Sequence, residues 1–296
     1  MWRVPAERFR IASLAADNLL ITNKTWTAAR GLSIESGRVI YSLSAPNTWL
    51  WRNRWLLMTD DGLVLVDPAT GETLERRSPL PVAPADTGLA RIDGDVMLYQ
   101  SEDKTQAVAY HLSRQELLWK RPLYREIAAR CGCEADVLTL RPMEPNMFLA
   151  HVRSSVVAGC SLADGSILWD MAVPFSAPAV PHRDRVYVML ASETRESSPR
   201  LVCLDATTGA RVYEVVQPEM DALDHADYGR VHEDHIAFGT RGGLVGLFRL
   251  ADGGLAWSYR HTVRHRTNVW LHTPVMADER LYVCADDGHL LIFEAA

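Results

Sequence analysis

The sequence predicts an all-β chain, folded over residues 1–296 as a single seven-bladed β-propeller of four-stranded antiparallel blades. Three observations carry this. The first is a strand–turn–strand pattern: residues 201–204 are apolar, Asp205-Ala206-Thr207-Thr208-Gly209 reverses the chain, and Val212, Tyr213, Val215 and Val216 begin the returning strand. Asp and Thr side chains bond backbone groups inside such a turn, and glycine supplies a positive φ at no steric cost. The second is repetition. Asp67-Pro68-Ala69-Thr70-Gly71 matches closely, turns at Gly165 and Gly253 are shorter versions, Gly37 is a reduced copy, and Gln115 stands at the anchor of a degenerate one. These anchors lie 34, 44, 50, 44 and 44 residues apart, the period of a propeller blade. The third is a large aromatic four residues after most anchors: Tyr41, Trp119, Trp169, Tyr213 and Trp257, with Glu75 breaking the rule. Such rings are expected to fill the seams between stacked blades.

Taken in order, blade 1 covers about residues 9–46 and blade 2 about 47–80, its inner hairpin turning at Asp60-Asp61-Gly62. Blade 3, about 81–123, opens on the turn Asp93-Gly94-Asp95. Blade 4, about 124–174, is longest, and its extra residues 125–130 suit a helical turn. Blade 5, about 175–218, is the most regular. Blade 6, about 219–262, starts with an acidic run and turns at Arg241-Gly242-Gly243. Blade 7 has only three strands, so Trp2-Arg3-Val4 is expected to supply its fourth and close the ring by pairing the N- and C-terminal segments, removing free sheet edges.

A net charge of −6 argues against nucleic acid or an anionic membrane as the main partner and suits a soluble protein that meets a basic one. No apolar run reaches the ~18 residues of a membrane span. Residues 1–10 carry charges and no apolar signal core. Of five cysteines, Cys160, Cys203 and Cys284 fall in predicted strands, where a reduced, buried thiol is the default. A cytoplasmic monomer is the expectation.

Little in the chain reads as chemistry. Cys131-Gly132-Cys133 offers two metal ligands where four are usual. His261, His265 and His272 lie among Arg260, Arg264 and Arg266 with no carboxylate in the stretch, which suits a solvated loop, or a basic patch for an anionic surface, better than a metal. The run Glu219, Asp221, Asp224 and Asp227 interleaves Met220 and Leu223, a mixture fit for a protein interface. Asp286-Asp287-Gly288 reads as a hairpin turn. No nucleophile elbow, P-loop or HExxH helix occurs.

Blade topology sorts the loops. First-to-second and third-to-fourth turns share one end and are tight. Second-to-third turns and blade-to-blade connections share the other, where the long loops 23–30, 79–87, 124–136, 192–200, 218–228 and 260–272 fall. Tight turns read as scaffold and long loops as a binding surface. Tyr124, Arg195, Asp221, Asp224, Tyr228, Arg264, Arg266 and Trp270 are its candidate partner-binding residues, since Trp, Tyr and Arg dominate binding hot spots. Asp93 and Asp95, at the tight-turn end, are expected to leave binding alone.

The Asp67–Gly71 and Asp205–Gly209 turns, with Trp119, Trp169 and Trp257, resemble the repeats of PQQ-like (quinoprotein-like) propellers across essentially the whole chain. That family includes quinone-dependent alcohol dehydrogenases and non-enzymatic scaffolds such as the propeller subunit of the outer-membrane barrel-assembly machinery. The dehydrogenases resemble this chain in repeat but are exported, larger and eight-bladed, and stack their cofactor on a disulfide between adjacent cysteines. Here Gly132 separates Cys131 from Cys133. The resemblance therefore implies the non-enzymatic branch: no catalytic residues, no cofactor, and a protein partner. One such role is immunity against a cognate interbacterial toxin; a quinoprotein dehydrogenase is the remaining alternative.

Overall fold

The structure is a computed structural model. It describes all residues except 1–8, 16–17, 24–28, 34, 37, 44–46, 60, 86–89, 133–137, 144–145, 153–155, 174–178, 193–197, 221–225, 227–228, 263–268, 273, 278–279, 287–288 and 295–296. Seven antiparallel sheets in chain order give the fold of a seven-bladed β-propeller. The chain divides into two compact units, Met1–Pro122 and Leu123–Ala296.

The first unit holds three blades. Blade 1 is β1 (Phe9–Ala15), β2 (Asn18–Asn23), β3 (Ala29–Ser33) and β4 (Val39–Leu43). Blade 2 is β5 (Asn47–Trp51), β6 (Arg54–Thr59), β7 (Gly62–Val66) and β8 (Thr73–Arg77). Blade 3 is β9 (Arg91–Asp93), β10 (Val96–Gln100), β11 (Ala107–His111) and β12 (Glu116–Arg121). The second unit opens on α1 (Leu123–Cys131), a fuller helix than the single turn expected at 125–130. Blade 4 follows as β13 (Leu138–Met143), β14 (Met147–Val152), β15 (Val156–Ser161) and β16 (Ile167–Ala172). Blade 5 is β17 (Val180–His182), β18 (Arg185–Leu190), β19 (Arg200–Asp205) and β20 (Arg211–Val216). Blade 6 is β21 (Arg230–His232), β22 (His235–Gly239), β23 (Leu244–Arg249) and β24 (Leu255–Arg260). Among the described residues blade 7 has three strands, β25 (Val275–Ala277), β26 (Arg280–Cys284) and β27 (Leu290–Glu294). Its expected fourth strand, Trp2-Arg3-Val4, lies outside the described residues.

The repeat has a physical cause that the spacing alone does not reveal. In each of blades 1 to 6 the third and fourth strands slip register once, always six residues before the anchor: at Gly31, Leu65, Ala109, Gly159, Cys203 and Leu247. The extra residue on the fourth strand is unpaired, a β-bulge, and it twists that strand. Four of these bulge residues, Ile40, Leu74, Leu168 and Val212, are among the exposed apolar side chains of the described residues. In blades 1, 4, 5 and 6 the bulge directs the next side chain, Tyr41, Trp169, Tyr213 or Trp257, toward the following blade. The described anchors hold left-handed backbone: φ is 77° at Gly71, 72° at Gly165, 70° at Gly209, 71° at Gly253 and 53° at Gln115. Gln115 is thus a true anchor despite its side chain.

Cores lie between consecutive blades. Leu149, Val157, Val188 and Val202 join blades 4 and 5; Tyr187, Leu201, Phe238 and Phe248 join blades 5 and 6; Val245, Leu271 and Val283 join blades 6 and 7. In the first unit Leu65, Tyr99, Val108 and Tyr110 join blades 2 and 3.

The aromatics do more than fill these seams. Tyr41 Oη donates 2.9 Å to the Pro68 carbonyl, Trp169 Nε1 2.8 Å to Ala206, and Tyr213 Oη 2.9 Å to Leu250. Each acceptor stands three residues before the anchor of the next blade. Blade 2, with Glu75 in the aromatic's place, is solved differently. Glu75 holds Arg77 through two hydrogen bonds of 2.8 and 2.9 Å, and Arg77 donates 2.6 Å to the Leu112 carbonyl, three residues before anchor Gln115. Its guanidinium also lies 4.8 Å from the Trp51 ring, which fills the seam from the first strand. An ion-paired arginine replaces the ring.

The cysteines divide by position. Cys160 and Cys203 are buried and reduced as expected, but Cys284 is exposed, because its side chain leaves the outward face of β26 while Leu281 and Val283 face the core. Cys131, at the end of α1, places its thiol 3.7 Å from the Asp170 carboxylate; Cys133 lies outside the described residues.

Candidate interaction site

In the second unit the second-to-third turns and the blade-to-blade connections share one end of the blades, as the topology requires. Of the expected partner-binding residues, Tyr124 and Trp270 are described. Arg195, Asp221, Asp224, Tyr228, Arg264 and Arg266 lie outside the described residues. Tyr124 is half-buried on α1, whose Leu123 and Ile127 anchor it and whose Arg130 sits 3.4 Å from Asp170. Trp270 belongs to the connection entering blade 7. The two residues stand on different elements of blades 4 and 7.

Around Trp270 the backbone is clamped from both sides. Leu271 N–H donates 2.9 Å to the Thr240 carbonyl of the blade 6 turn, and His272 N–H donates 2.9 Å to Cys284 of blade 7. Asp286 N–H donates 2.9 Å to the Trp270 carbonyl, and an Asp286 carboxylate oxygen accepts from Trp270 N–H at 3.1 Å. Asp286 is therefore a tether as well as a turn residue. The approach needs a glycine: a Cβ on Gly239 would come within 2.5 Å of the Leu271 carbonyl oxygen. The neighbouring turn is pinned by Arg260, which donates 3.0 Å to the Gly242 carbonyl, and by His261 N–H on Gly243 at 2.8 Å.

This clamp presents a stack. The Arg241 guanidinium lies 4.5 Å from the Trp270 ring centroid, and the His272 imidazole stacks on the same indole at 5.2 Å with 30° between planes. Arg241 and His272 are exposed and Trp270 is half-buried. The indole N–H is buried without an acceptor, a deficit of about 1–3 kcal/mol that native structures seldom carry without cause. His261 and His289 meet edge to face at 5.7 Å nearby. Sequence reasoning found Trp270 and His272 but read Arg241 only as part of a turn. The signal for it was the Gly239-Thr240-Arg241-Gly242-Gly243 run, whose glycines mark a close backbone approach.

The first unit carries a hollow of about 450 Å³ at the first-to-second turns of blades 2 and 3, lined by Leu50, Trp51, Arg52, Ile92, Asp93, Gly94 and Asp95. Asp95 accepts from Trp51 Nε1 at 3.2 Å and from Arg52 at 2.7 Å. Arg52 and Asp95 are spent on each other, while Asp93 stands exposed at the rim. No group of three metal-ligating side chains occurs among the described residues, and no helix there is long and apolar enough to cross a membrane.

No family model matches the chain, and no curated protein matches it. Solved structures do. BamB from Moraxella catarrhalis is similar at 13% identity and a TM-score of 0.63, covering 99% of this chain and 88% of that one. The WD40 domain at the C-terminus of Sif2 is similar at 10% identity and a TM-score of 0.65, covering 100% and 84%. The computationally designed Ika8 protein is similar at 10% and 0.57, covering 98% and 96%. At these identities the likeness establishes the β-propeller fold and nothing finer.

Proposed function

We propose that this protein is a non-catalytic, protein-binding propeller that engages its partner through the second-to-third turns and blade-to-blade connections of its second unit. The observation that carries the reading is the clamped Trp270, with Arg241 and His272 displayed on its ring. A half-buried Trp carrying an exposed Arg on a rigid frame is the kind of pair that binding hot spots are made of. Ring and guanidinium are held in place before any partner arrives, so little ordering entropy opposes association.

The test is capture. Full-length protein and its Trp270→Ala variant are immobilised and exposed to lysate of the native host, and bound proteins are identified. A protein held by the former and lost by the latter, with both baits equally folded, supports the reading. Identical captures by both baits refute it. A quinone-dependent enzyme would show itself separately, by dye reduction with added PQQ, calcium and an alcohol; none is expected.

A further inference from the structure

We infer that Arg241 is the receptor for a carboxylate on an acidic segment of the partner, an inference that rests on the protein-binding reading of the same face. Among the described residues several arginines are already committed to carboxylates. Arg52, Arg185, Arg200, Arg249 and Arg280 each close on a carboxylate. Arg241 has no ion-pair partner among the described residues and is held by a ring instead. A guanidinium laid on an indole keeps its N–H edges open in a fixed plane, the geometry that grips a carboxylate by two parallel hydrogen bonds. The one described carboxylate within the clamp, on Asp286, already accepts from the Trp270 backbone N–H. His272, stacked on the same indole and exposed, adds a second donor beside it.

The chain as a whole carries a charge of −6, which taken alone favours a basic partner. Salt screens that distributed charge beyond roughly 8 Å at physiological ionic strength. What a partner meets at contact is local: Arg260 donates to the adjacent Gly242 carbonyl and His272 stacks on the same indole, beside the Asp286 carboxylate that is bonded to the Trp270 N–H. The same net charge disfavours a long polyanion such as nucleic acid, so a short run of Asp or Glu on a protein fits better.

The experiment uses full-length protein and fluorescently labelled hexaglutamate, with hexaglutamine and a hexathymidylate as comparison probes, read by anisotropy at two salt concentrations. Hexaglutamate is expected to bind and hexaglutamine not. Arg241→Gln should weaken binding about tenfold, and Arg241→Lys nearly as much, because a lysine keeps the charge but not the plane. Arg114→Gln, an exposed arginine on blade 3, should stay within about twofold of the parent. Arg241 is exposed, so both variants should fold, and matched melting curves check it. Equal loss in Arg241→Gln and Arg114→Gln would overturn the inference, as would no binding of hexaglutamate or tighter binding of hexathymidylate. If capture from lysate depends on Trp270 while hexaglutamate neither binds nor competes, the carboxylate inference falls and the protein-binding reading stands.

Discussion

Trp169 Nε1 donates a 2.8 Å hydrogen bond to the carbonyl oxygen of Ala206, thirty-seven residues on and one blade away. The indole lies against two glycines: a Cβ on Gly159, across the β-bulge, would come within 2.2 Å of the ring, and one on Gly209, the next anchor, within 2.6 Å. One side chain thus reads the position of two blades.

Removing that ring should cost more than an ordinary core truncation. Trp169→Ala is expected to lose about 3–5 kcal/mol through the cavity, and Trp169→Phe about 1–3 kcal/mol, since Ala206 then keeps a carbonyl without a donor. Gly209→Ala should also destabilise by more than about 1 kcal/mol, because its φ of 70° and the ring contact both exclude a Cβ. Trp257, exposed and packed on Phe293, should tolerate the same Phe change with a smaller loss. Urea denaturation of the four variants ranks them.

The seam between blades 2 and 3 should respond to salt as the aromatic seams do not. Arg77 is nearly buried and carries the bond to Leu112, while Glu75 is 42% exposed. Arg77→Ala is expected to cost about 2–3 kcal/mol, leaving the Leu112 carbonyl without this donor. Glu75→Gln should cost under about 1 kcal/mol, because the glutamate itself is 42% exposed and its charge is screened. If raising the salt concentration from 0.05 to about 1 M leaves the gap between Glu75→Gln and parent unchanged, the pair is not electrostatic in the sense argued.

The repeat, the blade count and the role of the ring four residues after each anchor were legible because one geometry is used many times. Each copy of Asp-x-x-x-Gly states the same turn, and Gln115 could be placed by spacing although its side chain hides it. Exceptions were not legible. Nothing in Glu75 foretells that Arg77 would reach a carbonyl 35 residues on, because the compensation depends on where Trp51 stands in the fold. The same holds for the candidate site. Loop placement singled out Trp270, but Arg241 comes from a different turn, and only tertiary structure lays one on the other. The six candidates in the long loops outside the described residues remain as sequence alone left them.

His151 should make the second unit acid-sensitive above the carboxylate range. It is buried on β14, and burial, aided by the neighbouring positive charge of Arg141, pulls its pKa down from about 6.5 to about 4. A base depressed in the folded state binds fewer protons than in the unfolded state between those values. Stability is therefore full above about pH 6.5 and falls as pH drops toward about 4, by up to about 3 kcal/mol. His151→Gln should flatten that slope without altering the steeper loss below pH 4, where Asp103, Glu75 and Asp205, all held below the usual carboxylate range by hydrogen bonds, take up protons. Denaturation midpoints at pH 7.5, 5.5 and 4.5, compared between parent and variant, check the window.

Asp93 and Asp95 face the same hollow and, from sequence, were equivalent as changes expected to leave partner binding alone. The structure separates them. Desolvation pushes the Asp95 carboxyl up, but hydrogen bonds from Ser113, Trp51 Nε1 and Arg52 outweigh it and hold the group below the usual range. Trp51 is the ring against which Arg77 stacks, so Asp95 supports the blade 2–3 seam from the other side. Asp93 is exposed at the turn and shares neither of these hydrogen bonds. Asp95→Asn is accordingly expected to lower stability by about 1–2 kcal/mol, the worth of a charge-assisted bond to a partly exposed arginine plus a weakened one to the indole. Asp93→Asn should stay within about 0.5 kcal/mol of the parent. Neither should change capture of a Trp270-dependent partner once both proteins are confirmed folded. An Asp93→Asn protein that melts earlier than Asp95→Asn, or one that loses the partner while folded, would show that this end of the blades carries a duty beyond holding the seam.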